Sequence, residues 1–268
     1  MPAPAAPSPG RRRGGPFGWL VAADRNPRAD LALALILTAM AGASNAGGFF
    51  AVGQYTSHMS GYLSQLADSI AIADMGPALV YVIAIAAFAC GSAAASMLIA
   101  WASLHARTTL YALPVAVQGG FLVCFAGGEI FTTEAGRLFS IWCLCFIMGF
   151  QNGAWSIFSK GSYRTTHVTG TVTDLATELG RGAYGLIDRR SGARVDGARL
   201  SRLARLLLAF FGGGVVGAFG YGHFGFYFSL PLAAIMLAIS VPWLVQTAGS
   251  ATAGRKLASD TAPAKTDP

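Results

Sequence analysis

Six apolar runs, each close to the ~20 residues a helix needs to cross a bilayer, constrain this chain more than any other feature. They cover about Leu31 to Phe50, Ala78 to Trp101, Leu110 to Gly127, Leu138 to Phe158, Leu203 to Gly220 and Phe226 to Val245. Only 12% of the 268 residues are charged and 54% are hydrophobic. A water-soluble domain carries about 25% charged residues, so this chain has too little charge to cover a water-facing surface. The expected fold is all-α and polytopic, with the lipid bilayer as its main partner. Its membrane domain is expected over 30–248, between tails at 1–29 and 249–268 too polar or Pro/Ala-rich to bury a core.

Charge placement sets the expected orientation. Every Lys and Arg except Arg137 falls on one side of a six-span path, with the longest basic stretch between the fourth and fifth spans. The positive-inside rule makes that side cytoplasmic and puts both termini there. The net charge of +7 therefore serves topology and anionic headgroups, and nucleic acid is not an expected partner.

One motif occurs twice. TSHMSGYLSQLADSIA, Thr56 to Ala71, aligns with TTHVTGTVTDLATELG, Thr165 to Gly180. Without a gap, His58 meets His167, Ser60 meets Thr169, Gly61 meets Gly170 and Gln65 meets Asp174. Upstream, GASN ending at Asn45 meets GFQN ending at Asn152. Such self-similarity marks an internal duplication. The repeats, 30–128 and 137–246, each hold three spans. Three is odd, so they enter the membrane from opposite sides as a 3+3 inverted repeat, an arrangement that recurs in secondary transporters.

The pairing of G-x-x-N with H-[MV]-[ST]-G, then of G-x-Q-N with H-V-T-G-T-x-T-D-L-A, resembles the YoaK-like family of bacterial membrane proteins. The resemblance spans roughly Asp30 to Val245. It implies a multi-span inner-membrane protein and brings no established substrate with it.

On a helix, His58, Gly61 and Gln65 share one face, as do His167, Gly170 and Asp174. Both motifs are expected to form short half-helices, about Gly61 to Ile72 and Gly170 to Tyr184, re-entrant or interfacial. Their N-termini would present free N–H groups and positive dipole ends to a polar, anion-tolerant site. The candidate pathway residues are His58, Ser60, Gly61, Gln65, His167, Thr169, Gly170 and Asp174. Asn45 and Asn152 either lock the half-helices or line the pathway. The plainer reading gives the glycines and hydroxyls to helix packing, and pairs Asp174 and Glu178 with Lys160, Arg164 or Arg181.

No HExxH, G-x-S-x-G, phosphate loop or clustered Cys/His set is present. No catalytic residue, metal or cofactor is expected, and Cys90, Cys124, Cys143 and Cys145 fall in apolar runs. The expected function is transport of a small solute or ion, with a passive channel or a non-transporting assembly or sensor protein as alternatives. The solute and the oligomeric state are not encoded legibly.

Overall fold

The structure, a computed structural model, describes residues 15–127, 133–159 and 166–260, without the side chains of 51–52, 134 and 251–260. The expectations about Arg11 to Arg13, Glu129, Lys160, Arg164, Thr165 and Lys265 fall outside that set, as do those about the side chains of Glu134, Arg255 and Lys256. Among the described residues there are helices and no strands. In order they are α1 (Gly18–Val21), α2 (Pro27–Val52), α3 (Met59–Ala71), α4 (Met75–His105), α5 (Ala112–Ala126), α6 (Glu134–Phe158), α7 (Val168–Ile187), α8 (Gly197–Phe224) and α9 (Ser229–Asp260).

Local chemistry explains the ends. Asn26 caps α2 by accepting from the Ala29 N–H at 2.9 Å, with Pro27 in the first turn and Asp30 near the positive dipole end; all three favour a start there. Gly53 closes α2 at φ +71°, a left-handed conformation that suits glycine. Thr133 caps α6 through Gly136.

Four stretches are long and apolar enough to cross a membrane: Pro27–Phe50, Met75–His105, Ala135–Phe158 and Gly197–Ser250. The last contains two helices, α8 and α9, joined by a 3-10 turn at Gly225–Phe228. The third expected span is shorter than foreseen. Its first two residues, Leu110 and Tyr111, form a turn after the 3-10 helix at Arg107–Thr109, leaving α5 with 15 residues, about 22 Å of helix.

The tails also depart from expectation. Residues 15–29, expected in the N-terminal tail, pack: Leu20 and Val21 are buried in the main core, and α1 lies against α2 and α9. Arg25 holds this segment. It pairs with Asp30 at 2.7 Å, donates to the Leu20 carbonyl and sits over the Tyr111 ring. At the other end, α9 runs on through 249 to Asp260 with Pro242 inside it.

Helix pairing follows the duplication. The largest packing surfaces join α2 to α8, α4 to α6 and α5 to α9. Exchanging the two halves maps the first pair onto the second and the third onto itself. The two helices bearing the G-x-x-N segments are innermost: 61% of the α2 window and 67% of the α6 window are buried, against 28% for α4. Glycines set these contacts. A Cβ on Gly42 would strike the Phe210 carbonyl, and one on Gly149 the Phe88 carbonyl. One on Gly213 would strike the Ala39 carbonyl, and one on Gly91 that of Phe146. In lipid, where apolar burial does not drive helices together, such backbone approach is the main source of association.

Gln151 on α6 donates to the Leu37 carbonyl of α2 at 2.6 Å and accepts from Gln118 of α5. This buried chain of amides ties three helices across the two halves. We expect Gly149→Val to abolish folding, because the obstacle is backbone, whereas Gly120→Val, with open space where its Cβ would be, should leave yield and melting temperature near wild type. Melting of both purified variants in detergent checks this.

Candidate functional site

The motif helices start two residues earlier than expected, immediately after each histidine. His58 occupies the N-cap of α3 and His167 that of α7, and neither imidazole accepts from the first-turn N–H groups. Each ring instead lies against the glycine three residues on. A Cβ on Gly61 would sit 2.6 Å from His58 Nδ1, and one on Gly170 2.8 Å from His167 Nδ1. The H-x-x-G spacing thus has a steric cause, since only a residue without Cβ leaves room for the folded-back imidazole.

The loop before each helix is held by the asparagine of the preceding span. Asn45 Oδ1 accepts from the N–H of Ser57 at 3.1 Å and from its hydroxyl at 3.0 Å. Asn152 Oδ1 accepts from the Thr166 hydroxyl at 2.8 Å, and its amide donates to the Met148 carbonyl. Both asparagines lock the motif in place, and both also line the cavity that the motifs share.

That cavity has a volume of about 740 Å³. Its lining includes Asn45 with Asn152, Ser57 with Thr166, His58 with His167, and Ser60 with Thr169, each pair matched by the repeat. The opening turns of α3 and α7 therefore meet at one site. Sequence reasoning missed Phe88, Phe210, Tyr55, Ser92 and Ser156, which also line it. Phe88 and Phe210 each stand three residues before Gly91 and Gly213, so the small-residue signal in those helices, extended upstream, points to them. No Asp, Glu, Lys or Arg is among the described lining residues, and no three His, Cys, Asp or Glu among the described residues converge as a metal site.

Four of the expected pathway residues lie elsewhere. Gly61 and Gly170 sit behind the rings. The Gln65 amide folds back onto the Gly61 carbonyl at 3.2 Å. Asp174 is outside the lining and pairs with Arg199 of α8 at 3.3 Å. The reason is helical geometry: a residue seven positions past the N-cap is two turns away from the cavity and faces the neighbouring helix. Arg199 also reaches Glu178 at 3.1 Å, Arg181 meets the same carboxylate at 3.4 Å, and the Asp196 N–H donates to it at 3.4 Å. Glu178, 1% exposed, thereby fastens α7 to the start of α8. In the first half its position is taken by the buried Ser69.

Residues 33–242 match the model of a family described as "Protein of unknown function (DUF1275)". The chain belongs to that family. The YoaK-like proteins it resembles are members of the same family. No curated protein and no solved structure matches the chain. Family and apolar helices together make it an integral membrane protein.

Two outcomes follow from the charged cluster. Glu178→Ala should cost about 2 kcal/mol, the scale of a lost hydrogen bond to a charged group, read as a lower melting temperature. Asp174→Asn, between half-exposed partners, should cost under about 1 kcal/mol. Nearby, Asp196 caps α8 by accepting from the Arg199 and Ala198 N–H groups, each at 3.0 Å. The bond from Arg199 is the main cause holding its carboxyl below the usual carboxylate range. A depressed pKa supports the fold above the unfolded-state value, and that support disappears as pH falls through the folded one. Asp196→Asn, which keeps the acceptor, should flatten this acid limb in a pH series of melts.

Proposed function

We propose that this protein moves a small polar solute or ion across the bacterial cytoplasmic membrane through the cavity between its two motifs. The proposed frame is six spans in a 3+3 inverted repeat, both termini cytoplasmic, with α3 and α7 entering as half-helices from opposite faces. One observation carries the reading: two copies of one motif, far apart in sequence, contribute equivalent residues to a single polar cavity. Packing alone does not require hydroxyls, imidazoles and helix N-termini to converge on open space. The exchange-symmetric pairing of α2 with α8 and α4 with α6 supports the inverted repeat, because a pseudo-two-fold relation produces that pattern.

The lining favours a neutral or anionic solute. It offers hydroxyl, amide and imidazole groups and two positive dipole ends, with no described carboxylate to attract a cation. The α2–α8 and α4–α6 surfaces are the elements able to rock against each other around a fixed site.

Uptake by vesicles reconstituted with purified protein tests the reading. Concentrative uptake of a small anion or polar solute, lost in His58→Ala and His167→Ala variants that still melt cooperatively, is the expected result. No flux with any solute would sink it, and flux that never exceeds equilibrium would replace it with a channel. Orientation has its own check. In a background without the four natural cysteines, Asp74→Cys should react with an impermeant thiol reagent from outside and Arg190→Cys should not.

A further inference from the structure

The two halves differ at one buried spot beside the motif helices. In the first half Tyr62, 1% exposed, packs with Cys145 in an apolar cluster that includes Met59, Ala84, Ile85 and Phe88. The repeat carries these residues onto Thr171, Thr38, Val168, Leu206, Leu207 and Phe210 of the second half. Replacing Tyr62 by Thr171 removes a ring, and replacing Cys145 by Thr38 introduces a hydroxyl. The second-half residues do not close the gap. Together with His167 they line a partly open void of about 10 Å³. Thr38 is on its wall, 3% exposed, with its hydroxyl unpaired.

A void of this size holds about one water molecule, provided that two to four polar groups face it. Three are present. The Thr38 hydroxyl can donate and accept. The Thr171 hydroxyl donates to the His167 carbonyl at 3.0 Å and keeps lone pairs free to accept. His167 borders both this void and the central cavity. A buried hydroxyl without a partner is unfavourable, so the spot suits a ligand that can satisfy Thr38 and is no larger than water.

We propose that this void is a water site built into the second half alone, and that its water links the Thr38 hydroxyl to Thr171 and to the His167 imidazole. His58 has no counterpart, because the Tyr62 ring fills the equivalent space. The two motif histidines, matched by the repeat, therefore differ in hydrogen bonding: His167 is held by the bound water and His58 is not. Since the partner of one ring nitrogen decides which nitrogen carries the proton, the site gives the two sides of the cavity different proton chemistry. The inference rests on packing and stands apart from the transport reading.

Two measurements on the purified full-length protein test it. The first is a double-mutant cycle of melting temperatures for Thr38→Val, Thr171→Val and the pair, with Thr177→Val as control, since Thr177 makes the same kind of bond to the Thr173 carbonyl. Thr38→Val should lower the melting temperature, Thr171→Val should lower it more than the control does, and the double variant should fall little below the lower single, because either change evicts the same water. A melting temperature unchanged or raised in Thr38→Val, the result of deleting an orphan hydroxyl from a dry void, overturns the proposal, as does strict additivity. The second is the imidazole nitrogen NMR signal of His167 against that of His58. Thr38→Ser should leave both signals at their wild-type positions, and Thr38→Val should move that of His167 alone. Equal or absent shifts in Thr38→Val would reject the water link even if the stability data agreed.

Discussion

Backbone contact through glycine is the constraint on which the rest depends. Four carbonyls, of Ala39, Phe88, Phe146 and Phe210, lie where the Cβ atoms of Gly213, Gly149, Gly91 and Gly42 would be. Bulkier residues would hold α2 off α8 and α4 off α6. Hydrocarbon solvates a leucine as well as a neighbouring helix does, so these helices meet by van der Waals contact and hydrogen bonding and need close approach. The same contacts fix α2 and α6 at the centre, and with them Asn45 and Asn152. Each asparagine then sets the loop that launches a motif helix.

From that scaffold the site follows by short-range chemistry. An asparagine oxygen holds a serine or threonine at the loop end, the next residue is the histidine, and its ring folds onto a glycine. The first turn of the helix that begins there lines the cavity. Every link is local, and each is present in both halves. What differs between the halves is found farther along each helix. Glu178 and Asp174 anchor α7 to α8 through Arg199, whereas α3 has Ser69 and Gln65 in those places. Tyr62 fills the spot that Thr171 leaves open. The halves thus share the geometry of the motif and differ in the side chains that support it.

The matched pairs His58/His167, Ser60/Thr169 and Asn45/Asn152 were visible because duplication preserves spacing, and spacing on a helix fixes which side chains share a face. Asp174 misled, because sharing a helical face with His167 does not mean reaching the same space; two turns along, that face has left the cavity and met Arg199. Arg25 hid a packed N-terminal segment, since its role depends on Asp30, Leu20 and Tyr111 together. Gln151 stood inside the G-x-Q-N motif, but its pairing with Gln118 gave no sequence signal, because amides in apolar runs carry no period.

The sequence by itself determined the helical class, the apolar character that makes this a membrane protein, the duplication and the residues of the motif. These follow from properties that add along the chain: hydropathy, charge, and spacing within one helix. Only the tertiary structure decided that α2 packs on α8 rather than on α4, that the two motifs share one cavity, and that one half keeps a void where the other keeps a ring. Those outcomes depend on which backbones can touch and on volumes summed over three or four helices, quantities that no single stretch of sequence contains.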